Sequence, residues 1–135
     1  MVCIRGEKQH PICSIGIHLF TFVNDAVVRV DSAFSREPDG RVDKIRWDFQ
    51  SDKCNKDGEP YYYQPLTGFI FGDERASLTQ IIRSLVPGIT ASEAVNLDIS
   101  TLWGRRFEGE IKHKKIDDKT KVAYHVYLKP IDEKS

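Results

Sequence analysis

Long hydrophobic runs are missing from this chain. No stretch approaches the roughly 18 consecutive apolar residues that a spanning helix needs, so a transmembrane helix is excluded. Cysteine is scarce and odd in number. Cys3, Cys13 and Cys54 cannot all pair with one another, which argues against a secreted disulfide framework. Residues 1–10 carry charge and no apolar segment, which argues against a secretory signal, so the reducing cytoplasm is the expected location. An excess of one charge is also missing. Lys and Arg total 20 and so do Asp and Glu, which excludes a protein that holds nucleic acid by bulk charge. There is no Gly-rich phosphate loop, no Gly-x-Ser-x-Gly elbow and no His-Glu-x-x-His pair, so neither catalysis nor a cofactor is expected. His10, Cys13 and His18 are ligand types without a second cysteine pair at zinc spacing. The loop 53–58, aligned on Gly58 as a calcium loop, would put the cation Lys53 in the first ligand position. No metal is expected.

What remains is 135 residues, 40% apolar and 30% charged, enough for one domain with a real core. There are no internal repeats, no low-complexity tract and no Pro/Ser-rich linker. Residues 13–135 read as a single domain after an N-terminal extension over 1–12. The neutral total hides a local bias. Residues 103–135 hold nine bases against six acids, whereas 73–102 are net −2 and 1–72 net −1.

Periodicity supplies the elements. Residues 13–23 alternate, with Cys13, Ile15, Ile17, Leu19 and Val23 on one side and Ser14, Gly16, His18, Phe20 and Phe22 on the other. Asn24-Asp25 reads as a turn, and 27–34 as a second strand or a continuation. Glu37-Pro38-Asp39-Gly40 is a turn in which Pro presets φ and Gly permits its positive value. Residues 42–49 form a strand with Ile45, Trp47 and Phe49 on one face, the core face. Asp57-Gly58 marks a hairpin, and 61–71 is extended with an interruption at Pro65 and Gly68. Leu78, Ile81, Ile82 and Leu85 have helical spacing, with Ser77 and Gln80 as a capping box and Pro87-Gly88 as the stop. Thr90 with Glu93 opens a second, short helix. A hairpin over 106–129 closes the chain, in which Val122, Tyr124, Val126 and Leu128 join Phe107 and Ile111 in the core. His113 falls on the core side as a structural histidine, and Trp103 either plugs the bottom of the fold or stands exposed in a loop.

This order defines a mainly β fold with a helical insertion. Five strands with a helix between strands 3 and 4 is the plan of an OB-fold-like barrel, and a sandwich with a helical plug is its competitor. The blocks Lys44-Ile45-Arg46-Trp47-Asp48-Phe49, Leu97-Asp98-Ile99, Leu102-Trp103-Gly104-Arg105-Arg106-Phe107, Ile111-Lys112-His113-Lys114, Tyr124 and Lys129-Pro130 follow one another in a familiar order. Over residues 42–130 the chain resembles small phage- and prophage-encoded OB-fold proteins of the single-stranded-DNA-binding-like kind. The resemblance implies a non-enzymatic, sequence-tolerant accessory of replication or recombination in a bacterial host, working with replication or recombination proteins.

The residues themselves offer a matching surface. On the terminal hairpin, Arg106, Lys112 and Lys114 share a face with His125, Tyr127 and Lys129 by alternation. Single-strand binding needs cations along the phosphates and rings for the bases, and this face has both. Tyr61 and Tyr63, on one face of their strand, are further stacking candidates. Arg105 and Lys115 have the opposite parity. The expected partner is single-stranded DNA or RNA, with a homo-oligomer multiplying the contacts of a neutral chain. The alternative is a protein–protein interaction module of a phage or mobile element, recruiting a partner by strand addition to the N-terminal strand or an open sheet edge. A barrel that binds sugars or a small ligand is a third reading.

Overall fold

The computed structural model describes residues 12–31, 37–68, 76–118 and 121–131. Six strands form one antiparallel sheet: β1 (Gly16–Asp31), β2 (Arg41–Cys54), β3 (Pro60–Tyr63), β4 (Leu66–Thr67), β5 (Arg106–Lys115) and β6 (Lys121–Pro130). Their order is β3-β2-β1-β5-β6, with β4 also paired to β2. Between β4 and β5 come the helices α1 (Ser77–Leu85) and α2 (Ala91–Val95) and a 3-10 turn, Ile99–Leu102. The mainly β class with a helical insertion is therefore observed. Among the described residues no ladder joins β3 to β6, so the sheet is open. The anticipated third strand is two strands, split at Gln64-Pro65, where Pro cannot donate to the ladder. The expected extension at 1–12 lies, except for Ile12, outside the described residues, as do 69–71.

β1 is one long strand and not two. Asn24-Asp25 lies within it, beside a bulge that leaves Val23 without a partner as Phe22 pairs Phe49 and Asn24 pairs Asp48. The core takes the side that carries His18, Phe20 and Phe22, while Ile15, Ile17 and Leu19 are exposed. The rings explain this choice. Phe20, Phe22, Trp47, Phe49 and Phe107 are fully buried in one cluster, with Phe22–Phe49 centroids 5.1 Å apart and Phe22–Trp47 5.7 Å apart. Trp47 keeps its polar end satisfied by donating Nε1–H to Thr67 Oγ1 at 2.9 Å.

Local chemistry shapes the rest. Gly40 closes the first turn onto the Glu37 carbonyl at φ +70°. In the hairpin that joins β2 to β3, Gly58 N–H reaches Asn55 O at 3.0 Å. The box at Thr90 and Glu93 forms as expected, each side chain bonding the other's backbone N–H. The box at Ser77 does not. The cap position is Ala76, with no side-chain bond, and Gln80 N–H bonds the Ala76 carbonyl instead. Ser77 already has helical backbone, so its hydroxyl sits one residue late for capping. The buried stripe of α1, Leu78, Ile81, Ile82 and Leu85, packs in the same core, and α1 lies against β6.

Candidate functional site

The terminal hairpin presents an alternating surface. Along β5, Phe107, Gly109 and Ile111 point inward, and Arg106, Glu108, Glu110, Lys112 and Lys114 point outward. Along β6 the register slips by one. Glu110 pairs Tyr127 and Ile111 pairs His125, so Val126 is the extra residue of a bulge. Beyond it the parity reverses, and this corrects the expected faces. Leu128 is buried as anticipated, whereas Val122, Tyr124 and Val126 are 39%, 41% and 51% exposed. Tyr124 stands opposite Lys112, and Val122 opposite Lys114, on the outer face.

His125 turns inward for the same reason and leaves the candidate surface. Its Nδ1 lies 2.6 Å from the Tyr63 hydroxyl, which also accepts the His125 backbone N–H at 3.1 Å. The hydroxyl therefore donates to Nδ1, and both partners are satisfied. Burial pushes the Tyr63 hydroxyl up to about 12 and lowers His125 below the ordinary histidine value. Tyr63 is 4% exposed and Tyr61 packs on the core edge-on to His18, so neither ring is an open platform. Alternation had placed Tyr61 and Tyr63 together correctly, but on the inner face of β3.

Arg106, Lys112, Lys114, Tyr127 and Lys129 do share the outer face, joined by Tyr124, which alternation alone had assigned to the core. Tyr127 is partly occupied. Its hydroxyl donates to Glu108 Oε2 at 2.6 Å, a bond that raises the phenol's pKa, and Lys129 Nζ sits 5.6 Å from its ring centre. Among the described residues Tyr124 has neither constraint.

The cations of the two long hairpins differ in their partners. On the β1–β2 hairpin, Arg29 bridges Asp39 and Asp43 at 3.1 and 3.0 Å, and Arg41 meets Asp31 at 3.1 Å. Further along β2, Arg46 grips the buried Asp48 at 2.7 Å, with Gln64 donating to the same carboxylate. On the β5–β6 hairpin, Lys112, Lys114, Lys115 and Lys121 form no ion pair among the described residues, and Lys115 directly opposes Lys121. Like charges across a ladder repel.

The N-terminal end holds a second, buried network. The Ser14 carbonyl, which can only accept, lies 2.8 Å from His18 Nε2 and so fixes the proton there. Nδ1 then accepts from the Ser51 hydroxyl at 2.6 Å. Burial lowers the His18 pKa against the opposing bond to the Ser14 carbonyl, with Lys53 adding to the lowering and Asp52 opposing it. His113 donates Nε2–H to the Cys13 carbonyl at 2.7 Å, the structural role expected of it. Among the described residues no group of three or more His, Cys, Asp or Glu side chains could hold a metal. Trp103 does not plug the fold. It is 45% exposed and donates to Asp25 Oδ1 at 2.9 Å, because the turn at Gly104 carries it past the end of the core.

A scan against protein-family models finds no match, and a search of curated proteins finds none either. The functional reading rests on the surface itself.

Proposed function

We propose that this chain is a single-stranded DNA-binding protein of a phage or mobile element. It is non-enzymatic and sequence-tolerant, and it holds the strand across the outer face of the β5–β6 hairpin. The observation that carries this reading is a set of lysines that form no ion pair among the described residues, beside the exposed ring of Tyr124. Lys112, Lys114 and Lys129 would contact phosphates, Tyr124 would stack on a base, and Tyr127 would contribute less because Lys129 already covers it. The strand order adds support. Counting β3 and β4 as one interrupted strand, the sheet runs third, second, first, fourth, fifth, with the helices between third and fourth. That fits an OB-type barrel opened at one seam, and the Tyr63–His125 pair bridges the two strands on either side of it.

The test is fluorescence anisotropy with a labelled poly-dT of about 30 nucleotides, longer than the roughly 4–16 that one OB fold covers, against a matching duplex. Preference for the single strand and a steep loss of affinity with salt are expected. The Lys112→Ala/Lys114→Ala double variant should lower the salt slope by about 1.4, at roughly 0.7 per single-strand phosphate contact. Tyr124→Ala should cost about 1–3 kcal/mol, the worth of one stacked base. Absence of binding at low salt, or equal binding of duplex, would overturn the reading.

One observation favours a protein partner instead: Ile15, Ile17 and Leu19 form an apolar row that is 64%, 53% and 37% exposed. β1 pairs β5 over 16–21 and β2 over 20–31, so among the described residues it carries ladders on both sides only at 20–21, and strand addition would use the stretches that carry one ladder. Binding through such a row would be insensitive to salt.

A further inference from the structure

We propose that Arg105 and Arg106 form a phosphate-binding subsite at the mouth of a small cleft where β5 begins and β6 ends. The cleft measures about 200 Å³ and is lined by Arg105, Arg106, Phe107, Pro130 and Ile131. Pockets for drug-sized ligands run to roughly 300–1,000 Å³, so this one takes a single group and not a whole nucleotide.

Arg106 is the informative residue. The other arginines with described partners are engaged: Arg29, Arg41 and Arg46 with carboxylates, and Arg83 through Nε with the Ile89 carbonyl at 2.9 Å. The Nε of Arg106 is buried and has no hydrogen-bond partner among the described residues. A buried N–H on a charged group normally has an acceptor, and its absence marks a place where one belongs. Glu108, two residues along the same face, is bound by the Tyr127 hydroxyl. Exposed Arg105 adds a second positive charge at the rim.

The backbone here is already fixed. Arg105 N–H bonds the Leu102 carbonyl at 3.1 Å, its carbonyl accepts from Phe22 N–H at 3.0 Å, and the Arg106 carbonyl accepts from Ile131 N–H at 3.1 Å. Gly104 N–H meets the Phe22 carbonyl at 2.7 Å. A guanidinium on a fixed backbone offers two parallel N–H groups to an oxyanion with little ordering left to do. Arg106 also opposes Thr21, which opposes Gln50, which opposes Tyr62, so the site opens onto a polar row across four strands. Assignment of the phosphate to a nucleic-acid strand rests on the function proposed above, whereas the oxyanion site stands on its own geometry.

The test is an NMR titration of the arginine Nε–Hε signals of the full chain with inorganic phosphate, with chloride as the ionic-strength control, and then with oligo-dT. A saturable shift of the Arg106 signal with phosphate, with Arg29 and Arg46 unmoved, is the expected result. Oligo-dT should shift the same signal, and Arg106→Ala should weaken oligonucleotide binding roughly 10-fold, as loss of a charge-assisted hydrogen bond would. A shift with phosphate but none with oligo-dT keeps the oxyanion site and removes the nucleic-acid assignment. Oligo-dT binding by anisotropy with an unmoved Arg106 signal overturns the site and leaves the function standing. A response that merely follows chloride overturns the site. So does an Arg106 signal that moves in ligand-free Asp132→Asn/Glu133→Gln, because the chain's own acids would then fill the cleft.

Discussion

Tyr63 and His125 show how much one hydroxyl can hold. The Tyr63 oxygen accepts a backbone N–H and donates to an imidazole, in a place where water would otherwise be needed. Tyr63→Phe leaves the ring packing intact and strands both groups. It should cost about 1–3 kcal/mol in urea unfolding, the usual penalty for an unsatisfied buried polar group. Buried His18 and half-buried His125 also set a pH dependence. Burial lowers both His18 and His125 below 6.5, so on acidification the unfolded chain takes up protons before the folded one does. Their stabilising contribution is complete above about pH 6.5 and is lost as the pH falls toward their folded-state values. The urea midpoint should decline as the pH falls from about 6.5 to about 5, within the range where histidine titrates. A flat profile across that window would contradict the neutral tautomers assigned here.

The hairpins depend on close strand contact. A Cβ on Gly109 would meet Leu128 Cδ1 at 3.0 Å, the Tyr127 carbonyl oxygen at 3.1 Å and Phe20 Cε2 at 3.3 Å. Gly109→Ala should therefore destabilise by about 1–3 kcal/mol through overpacking, read as a lower thermal midpoint. The elements were largely legible in the sequence because their signals are local. Pro38-Asp39-Gly40, Asp57-Gly58, Pro87-Gly88 and the Thr90–Glu93 box each act over a few residues, and each appears where expected. Faces were less legible, because a single added residue inverts them. Val23 and Val126 are as strand-like as their neighbours, and nothing in the sequence marks them as bulges. The Val126 bulge moved Tyr124 out to the candidate surface and turned His125 inward, half-buried against Tyr63. The side of β1 that carries His18 was also hard to read, because the hydroxyl that satisfies the imidazole, Ser51, lies 33 positions away. The lysines of the hairpin were legible, since each needed only its position on β5 or β6.

Across the fold, charge is sorted by hairpin. Where arginine and aspartate face each other on β1–β2, the charges are neutralised in place; on β5–β6 the lysines carry theirs into solvent. A chain of zero net charge can thus present a cationic edge, and its salt response should come from that edge alone. The segment 12–14 ties distant parts of the sheet together: Ile12 bridges Tyr62 on β3, the Cys13 carbonyl holds His113 on β5, and the Ser14 carbonyl holds His18 on β1. The Cys13 thiol is fully buried behind this strap, and burial pushes its pKa up to about 12, whereas Cys54 is exposed. Alkylation proceeds through the thiolate, so Cys13 reacts only when the strap lifts. In a Cys3→Ser variant the chain therefore carries its own clock. Cys54 sets the unhindered rate, and the delay of Cys13 behind it counts how often this end of the sheet opens. Ligands bound on the β5–β6 face should leave that ratio unchanged if the hairpin works as a rigid plate, and should lengthen the delay if binding tightens the sheet as a unit.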